Sequence, residues 1–68
     1  MDGVVKTVIG DRGFGFIEPN GGGTDVFFHV KEYQGAVLFD GGLRGARVTF
    51  DVEQGAKGPR AINVKLAP

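Results

Sequence analysis

Cysteine, serine and tryptophan are all absent from this sequence of 68 residues. Without cysteine there is neither a disulfide framework nor a thiolate metal site, so packing alone must hold the fold together. Without serine or cysteine the common hydroxyl and thiol nucleophiles are missing, and with them any catalytic triad built on those groups. We therefore expect a protein of a reducing, cytoplasmic setting that is not an enzyme.

Net charge and long apolar runs are lacking as well. The 8 basic and 8 acidic residues cancel, which argues against a binder of polyanions that relies on charge alone. The longest apolar run, residues 36–39, is far shorter than a membrane span, and the first residues lack the pattern of a signal peptide. We expect one soluble domain over residues 1–68, with no membrane partner, small-molecule substrate or cofactor.

Glycine, with 13 residues, is abundant instead, and it separates short runs rich in β-branched and aromatic side chains. This spacing is typical of an all-β chain, and no stretch supports a long amphipathic helix. Strands are predicted at residues 3–9, 12–18, 25–31, 46–53 and 60–66. Five short strands in one small domain indicate a barrel, with a long loop over residues 32–45.

Alternation in the second predicted strand places aromatic rings on its polar face. In an extended strand alternate side chains share a face, so Phe14 and Phe16 lie together and Ile17 points the other way. The neighbours on the face of the rings are charged: Arg12 and Glu18. The opposite assignment, with both rings in the core, is left open by parity because phenylalanine is usually buried. The charged neighbours favour rings on the outside.

The third predicted strand has the same arrangement. Phe27 shares a face with Asp25 and His29. The other face carries only apolar side chains: Val26, Phe28 and Val30. The glycine-rich stretch 20–24 tolerates the positive φ of a tight turn. The two strands should therefore form a hairpin that sets the outward rings side by side.

The fourth predicted strand alternates cleanly, with Val48, Phe50 and Val52 expected to point inward. Residues 55–58 should turn the chain back, antiparallel, into the fifth strand. Pro59 fits the start of an edge strand, because it has no N–H to donate to a second neighbour.

An outward face with several aromatic rings suits the unstacked bases of a single strand, because every base has a π-face. Nearby cations can hold backbone phosphates, and four lie on strands or loops that should border the face: Lys6, Arg12, Lys57 and Arg60. Taken singly, each could equally be a solvated surface charge. His29 is the single histidine, so we expect it to stack on a base or donate a hydrogen bond, and we expect no metal site.

Two segments, RGFGFI at residues 12–17 and DVFFH at residues 25–29, resemble the two ribonucleoprotein motifs of the bacterial cold shock domain. Residues 3–6 resemble the opening strand of that family and residues 58–64 its closing strand, with spacing that agrees along nearly the whole chain. RNA recognition motif domains share the first pattern. They need a strand and a helix before it, however, and only one strand fits before residue 12.

The resemblance implies an all-β, five-stranded antiparallel OB-fold barrel that binds single-stranded RNA or DNA, as an RNA chaperone or cold-shock-type regulator without ATP. It implies a base-stacking set made of Phe14, Phe16, Phe27 and His29. It also implies phosphate or base-edge contacts from Lys6, Arg12, Asp25, Lys57 and Arg60, and a loop aromatic at Phe39. We expect pyrimidine-rich strands to be accommodated best and the protein to be a monomer.

The sequence departs from the family at three positions. Thr7 and Val8 stand where the family has Trp and Phe after the lysine of strand one, and Val30 stands where it has an aromatic residue. We therefore expect a weaker binder with a shorter footprint than its relatives. Two alternatives stay open: the same face could bind a protein partner, or the barrel could have lost its ligand.

Overall fold

Extended segments dominate the computed structural model, which describes residues 1–34, 41–55 and 58–67. Within these ranges the strands are β1 (Asp2–Ile9), β2 (Phe14–Pro19), β3 (Val26–His29), β4 (Arg47–Gly55) and β5 (Gly58–Leu66). Short 3-10 turns lie at Gly10–Arg12, Val30–Glu32 and Gly41–Leu43. No helix in the described part of the chain has the length and apolar character needed to cross a membrane.

The strands close into a barrel in the order β1-β2-β3-β5-β4. Four of the neighbouring pairs are antiparallel, whereas β3 and β5 run parallel. A closed ring with an odd number of strands cannot be antiparallel throughout, because directions that alternate around it must coincide at one pair. The predicted five-stranded OB-type barrel is confirmed, and its purely antiparallel character is corrected at this pair.

The barrel interior is filled by buried apolar side chains from every strand. Ile17, Val26 and Phe28 are among them, as alternation predicts. Leu43, at the end of the Gly41–Leu43 turn, is also fully buried, so part of the predicted long loop belongs to the core. The core cluster of the described residues consists of Val5, Ile17, Val26, Phe28, Leu43, Val48, Phe50, Ala61 and Val64.

Strands β2 and β3 are shorter than predicted. The Gly10–Arg12 turn ends at Gly13 in the left-handed conformation, with φ 73°, so β2 begins two residues later than expected. β3 ends at His29, where the imidazole accepts a hydrogen bond from the backbone N–H of Lys31 and caps the next turn. Val30 therefore leaves the strand and lies half-buried outside the core cluster, although it was predicted to be inside.

Val52 also departs from the predicted core. It is 38% exposed, although alternation predicts it to point inward. The ladder between β1 and β4 ends at Thr49, so β1 no longer covers the sheet where Val52 lies. The register between β4 and β5 shifts just after Thr49, and a bulge of this kind bends the strands.

β5 is not the edge strand that Pro59 suggested. It pairs with β4 on one side and with β3 on the other. Pro59 lies opposite Gln54 in β4, and the pairing with β3 begins one residue later, at Arg60. The proline thus precedes the part of β5 that has two neighbours.

Asn63 occupies the bulge in β5 with a φ of 53°, in the left-handed region. Its backbone N–H donates to Glu32 Oε1 over 3.3 Å, and its side-chain amide donates to Asp51 Oδ2 over 3.4 Å. Gln34 Nε2 donates in turn to Asn63 Oδ1 over 3.3 Å. Asn63 therefore ties the segment after β3 to the β4–β5 hairpin.

Gly15 allows β1 and β2 to approach closely above the core. A Cβ at this position would lie 2.4 Å from the carbonyl oxygen of Thr7 and 2.9 Å from Cε1 of Phe28. Neither the backbone of β1 nor a fully buried ring can move aside easily, because the interior is close-packed. The absence of a side chain at Gly15 is thus a condition of this strand pairing.

Phe27 and Phe28 test the assignment of the two faces, because they are adjacent and point in opposite directions. Phe28→Ala should lower the free energy of unfolding by about 3–5 kcal/mol, because it empties a fully buried ring site. Phe27→Ala should cost roughly half of that or less, because its ring is only half-buried. Urea unfolding followed by far-UV circular dichroism measures both, and equal losses would contradict the assignment.

Substitution of Asn63 separates backbone strain from hydrogen bonding. Asn63→Ala should destabilise the fold by about 1–2 kcal/mol, because alanine disfavours the left-handed conformation and cannot make the side-chain hydrogen bonds. Asn63→Gly loses the same hydrogen bonds but accepts the backbone conformation, so it should be the milder change. Thermal unfolding of both variants gives the order, and the reverse order would show that φ at this position does not limit stability.

Candidate nucleic-acid interface

Three phenylalanine rings lie in contact on the outside of the barrel, on the β2–β3 hairpin. Phe14 and Phe16 have ring centroids 6.1 Å apart and meet edge to face. The centroid of Phe27 lies 5.5 Å from that of Phe14 and 6.0 Å from that of Phe16. The predicted stacking set, with His29 opposite Phe14, is thus brought together. We call Phe14, Phe16, Phe27 and His29 the aromatic face.

The register of the hairpin places these side chains. Phe16 lies opposite Phe27 and Phe14 opposite His29 in the β2–β3 ladder, and residues directly opposite each other share a face. The alternate residues of both strands point into the core and are buried. Aromatic pairs contribute about 0.5–1.5 kcal/mol each beyond their buried area. The rings are therefore held in place on a packed support before any ligand arrives.

The imidazole of His29 has a defined orientation. Its Nδ1 accepts a hydrogen bond from the backbone N–H of Lys31 over 3.1 Å. A neutral imidazole that accepts at Nδ1 carries its proton on Nε2, so His29 can offer both a ring face and a hydrogen-bond donor. In the described ranges no group of three or more histidine or carboxylate side chains is placed to hold a metal ion.

Lys6 and Asp25, both predicted to contact nucleic acid, form an ion pair with each other. The ammonium nitrogen lies 3.3 Å from Asp25 Oδ2, and the side chains are 55% and 33% exposed. Lys6 lies where the β1–β2 register shifts, between Val5 and Thr7. An exposed pair of this kind contributes at most about 1 kcal/mol, so a phosphate can displace the carboxylate from Lys6.

Arg60 makes a second ion pair, with Glu53 on the neighbouring strand. Its Nε donates to Glu53 Oε1 over 3.2 Å, and its Nη2 donates to the same oxygen. This hydrogen bonding, and then the negative charge of Glu53, raise the pKa of the Arg60 guanidinium above its ordinary value. Arg60 was predicted from the sequence, whereas Glu53 was not. The signal was present, because the two residues flank the predicted turn at 55–58 and face each other across the hairpin.

The remaining predicted contacts are placed differently. Arg12 lies in the exposed turn before β2 rather than on a strand. Among the described residues it makes no ion pair, so its guanidinium is available to a phosphate near Phe14. Phe39 and Lys57 lie outside the described residues.

A hollow of about 260 Å³ lies between β3 and β5, next to the aromatic face. Pockets for small molecules usually span about 300–1,000 Å³ and enclose the ligand. This hollow therefore suits one unit of a longer linear ligand better than a separate small molecule. Its lining consists of Phe27, His29, Lys31, Glu32, Arg60 and Ala61. Lys31 was not predicted, although the alternation that placed Phe27 and His29 outward applied to it as well.

The positions at which the chain departs from the family it resembles have different roles in the barrel. Thr7 lies opposite Phe16, at the border of the aromatic face. Val8 packs partly buried against the core and does not extend that face, and Val30 belongs to the turn after β3. At the β1 border of the aromatic face the chain thus presents a hydroxyl.

Comparison with known proteins gives consistent matches. A family model described as "'Cold-shock' DNA-binding domain" matches residues 1–67. Cold shock-like protein CspB of Escherichia coli strain K12 is 48% identical over 67 residues, which cover 94% of this chain and 89% of the relative. Cold shock protein ScoF of Streptomyces coelicolor is 45% identical over 65 residues, 96% of each chain. The solved structure "drosophila Unr CSD456" matches with a TM-score of 0.77 and 25% identity, over 98% of this chain and 26% of that one.

The family match spans all five strands of the described residues, including the hairpin that carries the aromatic face. The bacterial relatives are nearly equal to this chain in length, so the similarity concerns whole barrels rather than one motif. The chain belongs to the cold shock domain family, a family of nucleic-acid-binding proteins.

Proposed function

We propose that this chain binds single-stranded RNA or DNA by stacking successive bases on the aromatic face, and that it acts as an ATP-independent RNA chaperone or cold-shock-type regulator. The observation that carries the proposal is the mutual contact of Phe14, Phe16 and Phe27 on the outer side of a packed hairpin. A domain of this size has little apolar surface to bury and is marginally stable. Large rings left on its surface therefore point to a ligand.

Stacking, rather than charge, supplies most of the affinity in this proposal. Each base stacked on an aromatic side chain contributes about 1–3 kcal/mol. The chain as a whole has no net charge, and Lys6 and Arg60 are already paired with carboxylates. Binding should therefore weaken only moderately as the salt concentration rises. Bases that remain stacked inside a duplex cannot stack on the phenylalanine rings.

Cations on two sides of the aromatic face can hold the phosphates of a bound strand. Arg12 lies just before β2, and Lys31 and Arg60 line the hollow beyond His29. A base in the hollow would contact Phe27 and the imidazole, whose Nε2–H can donate to a base edge.

The aromatic face of this chain supports a shorter footprint than that of relatives with additional rings. Thr7 and Val30 occupy positions at its border without offering a π-face. Each stacked base lost there lowers affinity by about fivefold for every 1 kcal/mol. We therefore propose a weaker binder than the family norm.

Chaperone activity would follow from binding alone. A protein that binds the open form of an RNA hairpin shifts the equilibrium toward that form by mass action, without fuel. One barrel carries a complete aromatic face, so a monomer is sufficient for this activity. The sequence predicts a cytoplasmic protein whose ligand is single-stranded RNA or DNA.

Phe27→Ala should weaken the binding of a fluorescently labelled, pyrimidine-rich single strand by about 1 kcal/mol or more, because one base loses its stacking partner. Fluorescence anisotropy at two salt concentrations measures the change, since the protein has no tryptophan whose emission could be followed. Val52→Ala removes an exposed apolar side chain outside the aromatic face. This control variant should bind as the wild type does.

The same titration should be repeated with labelled single strands of increasing length. Affinity should stop rising at a shorter length than it does for the Escherichia coli relative measured alongside. Saturation at the same length and with the same affinity would contradict the shorter footprint. Absence of binding at low salt would overturn the nucleic-acid proposal and direct attention to a protein partner for the same face.

Lys31→Gln should reduce the slope of log affinity against log salt concentration by about 0.7, the contribution of one phosphate contact in a single strand. Lys65→Gln removes the same charge from β5 at a position outside the hollow, and it should leave the slope unchanged. Anisotropy titrations over a series of salt concentrations give both slopes. If the two variants have equal slopes, Lys31 does not contact a phosphate.

A further inference from the structure

Five side chains, one from each strand, form a continuous row around the outer surface of the barrel. The cross-strand pairs join Thr7 to Phe16, Phe16 to Phe27, Phe27 to Arg60, and Arg60 to Glu53. Residues opposite one another in a ladder share a face. The row therefore passes from a hydroxyl through two rings to a cation and then to a carboxylate. We call these five residues the outer row.

Arg60 is the member of the outer row that connects the aromatic face to Glu53. Its Nε lies 3.2 Å from Glu53 Oε1, and the two side chains are 54% and 46% exposed. Because water and salt reach both groups, the pair is screened and can exchange with other ions. Glu32, which lines the hollow, adds a second negative charge near the guanidinium.

A phosphate of nucleic acid and the carboxylate of Glu53 compete for the same guanidinium. Both anions bind arginine through its fork of N–H donors, and Glu53 occupies the edge formed by Nε and Nη2. A strand that stacks a base on Phe27 brings its backbone next to Arg60, which is the neighbour of Phe27 in the ladder. A phosphate that binds this edge displaces Glu53 from Nε and Nη2.

We propose that Glu53 is a specificity-determining residue that acts as an internal competitor: it occupies Arg60 in the free protein and is displaced when a strand stacked on Phe27 binds. This inference rests on the proposed function. An anion that cannot stack gains little from the exchange, because one ion pair replaces another, whereas a stacked strand also gains the contact with the ring. Glu53 thus favours the binding of stacked strands at Arg60 over the binding of polyanions that cannot stack. The pair Lys6–Asp25 repeats the arrangement at the other border of the face.

Glu53→Gln removes the competing charge and keeps the size of the side chain. At low salt this variant should bind a labelled pyrimidine-rich single strand about two- to fivefold more tightly than the wild type. The slope of log affinity against log salt concentration should be steeper by up to about 0.7 in this variant. In the wild type the carboxylate of Glu53, once displaced, takes up a cation from solution, and the variant has no such carboxylate. Fluorescence anisotropy measures both quantities.

The matched control is Glu18→Gln, which removes one carboxylate from the outer side of β2. Glu18 is exposed and forms no ion pair among the described residues. Because the net charge changes equally in the two variants, Glu18→Gln reports the general electrostatic effect. It should tighten binding by less than Glu53→Gln and leave the salt slope unchanged.

The same two substitutions in an Arg60→Gln background separate competition from general charge. Without the guanidinium, Glu53→Gln should tighten binding no more than Glu18→Gln does. A gain that persists there would overturn the proposal. Weaker binding by Glu53→Gln in the wild-type background would also overturn it, because Glu53 would then hold Arg60 in place for the ligand.

The titration of the wild type separates a failure of the proposed function from a failure of the role assigned to Glu53. Absence of wild-type binding would overturn the proposed function, and the role of Glu53 with it. Wild-type binding with equal effects of Glu53→Gln and Glu18→Gln would overturn only the role of Glu53.

Discussion

The parallel pairing of β3 with β5 is the constraint on which the rest of the structure depends. A barrel of five strands can close only if one pair runs parallel, and here that pair joins Phe27 to Arg60 and Phe28 to Ala61. Phe28 and Ala61 lie in the core, whereas Phe27 and Arg60 lie on the outer surface. One short ladder therefore completes the hydrophobic interior and also places a cation beside the rings.

Two of the cations around the aromatic face are balanced within the chain. Lys6 is paired with Asp25, and Arg60 with Glu53. A surface with a strong positive field attracts any nucleic acid, duplexes included, and does so with a steep dependence on salt. A surface whose cations are paired depends more on bases that are free to leave their own stacks. Under the proposed function, this pairing of Lys6 and Arg60 would favour single strands over duplexes, and it agrees with the absence of net charge in the whole chain.

Alternation predicted the two sides of the β2–β3 hairpin because the period of a strand is a local property. Ile17 is inside and Phe27 outside, as predicted. Burial of Val52 could not be predicted in the same way, because it depends on how far β1 extends along β4 and on a bulge in β5. Glu53 was missed although the predicted turn at residues 55–58 places it opposite Arg60. Val30 was misplaced because the chain turns after His29, where the imidazole accepts a hydrogen bond from the backbone N–H of Lys31.

The pleat of the strands places the residues that would contact a ligand on one face and the residues that pack the core on the other. On β2 and β3 the rings of the outer row alternate with residues that fill the interior, so a substitution of Phe16 or Phe27 leaves the packed side of the strand unchanged. Thr7 is a similar case, because it carries a hydroxyl at the border of the aromatic face while Val5, two residues before it, and Val8, directly after it, still pack in or against the core. The range of ligands accepted by such a barrel can therefore diverge among homologues faster than its stability does.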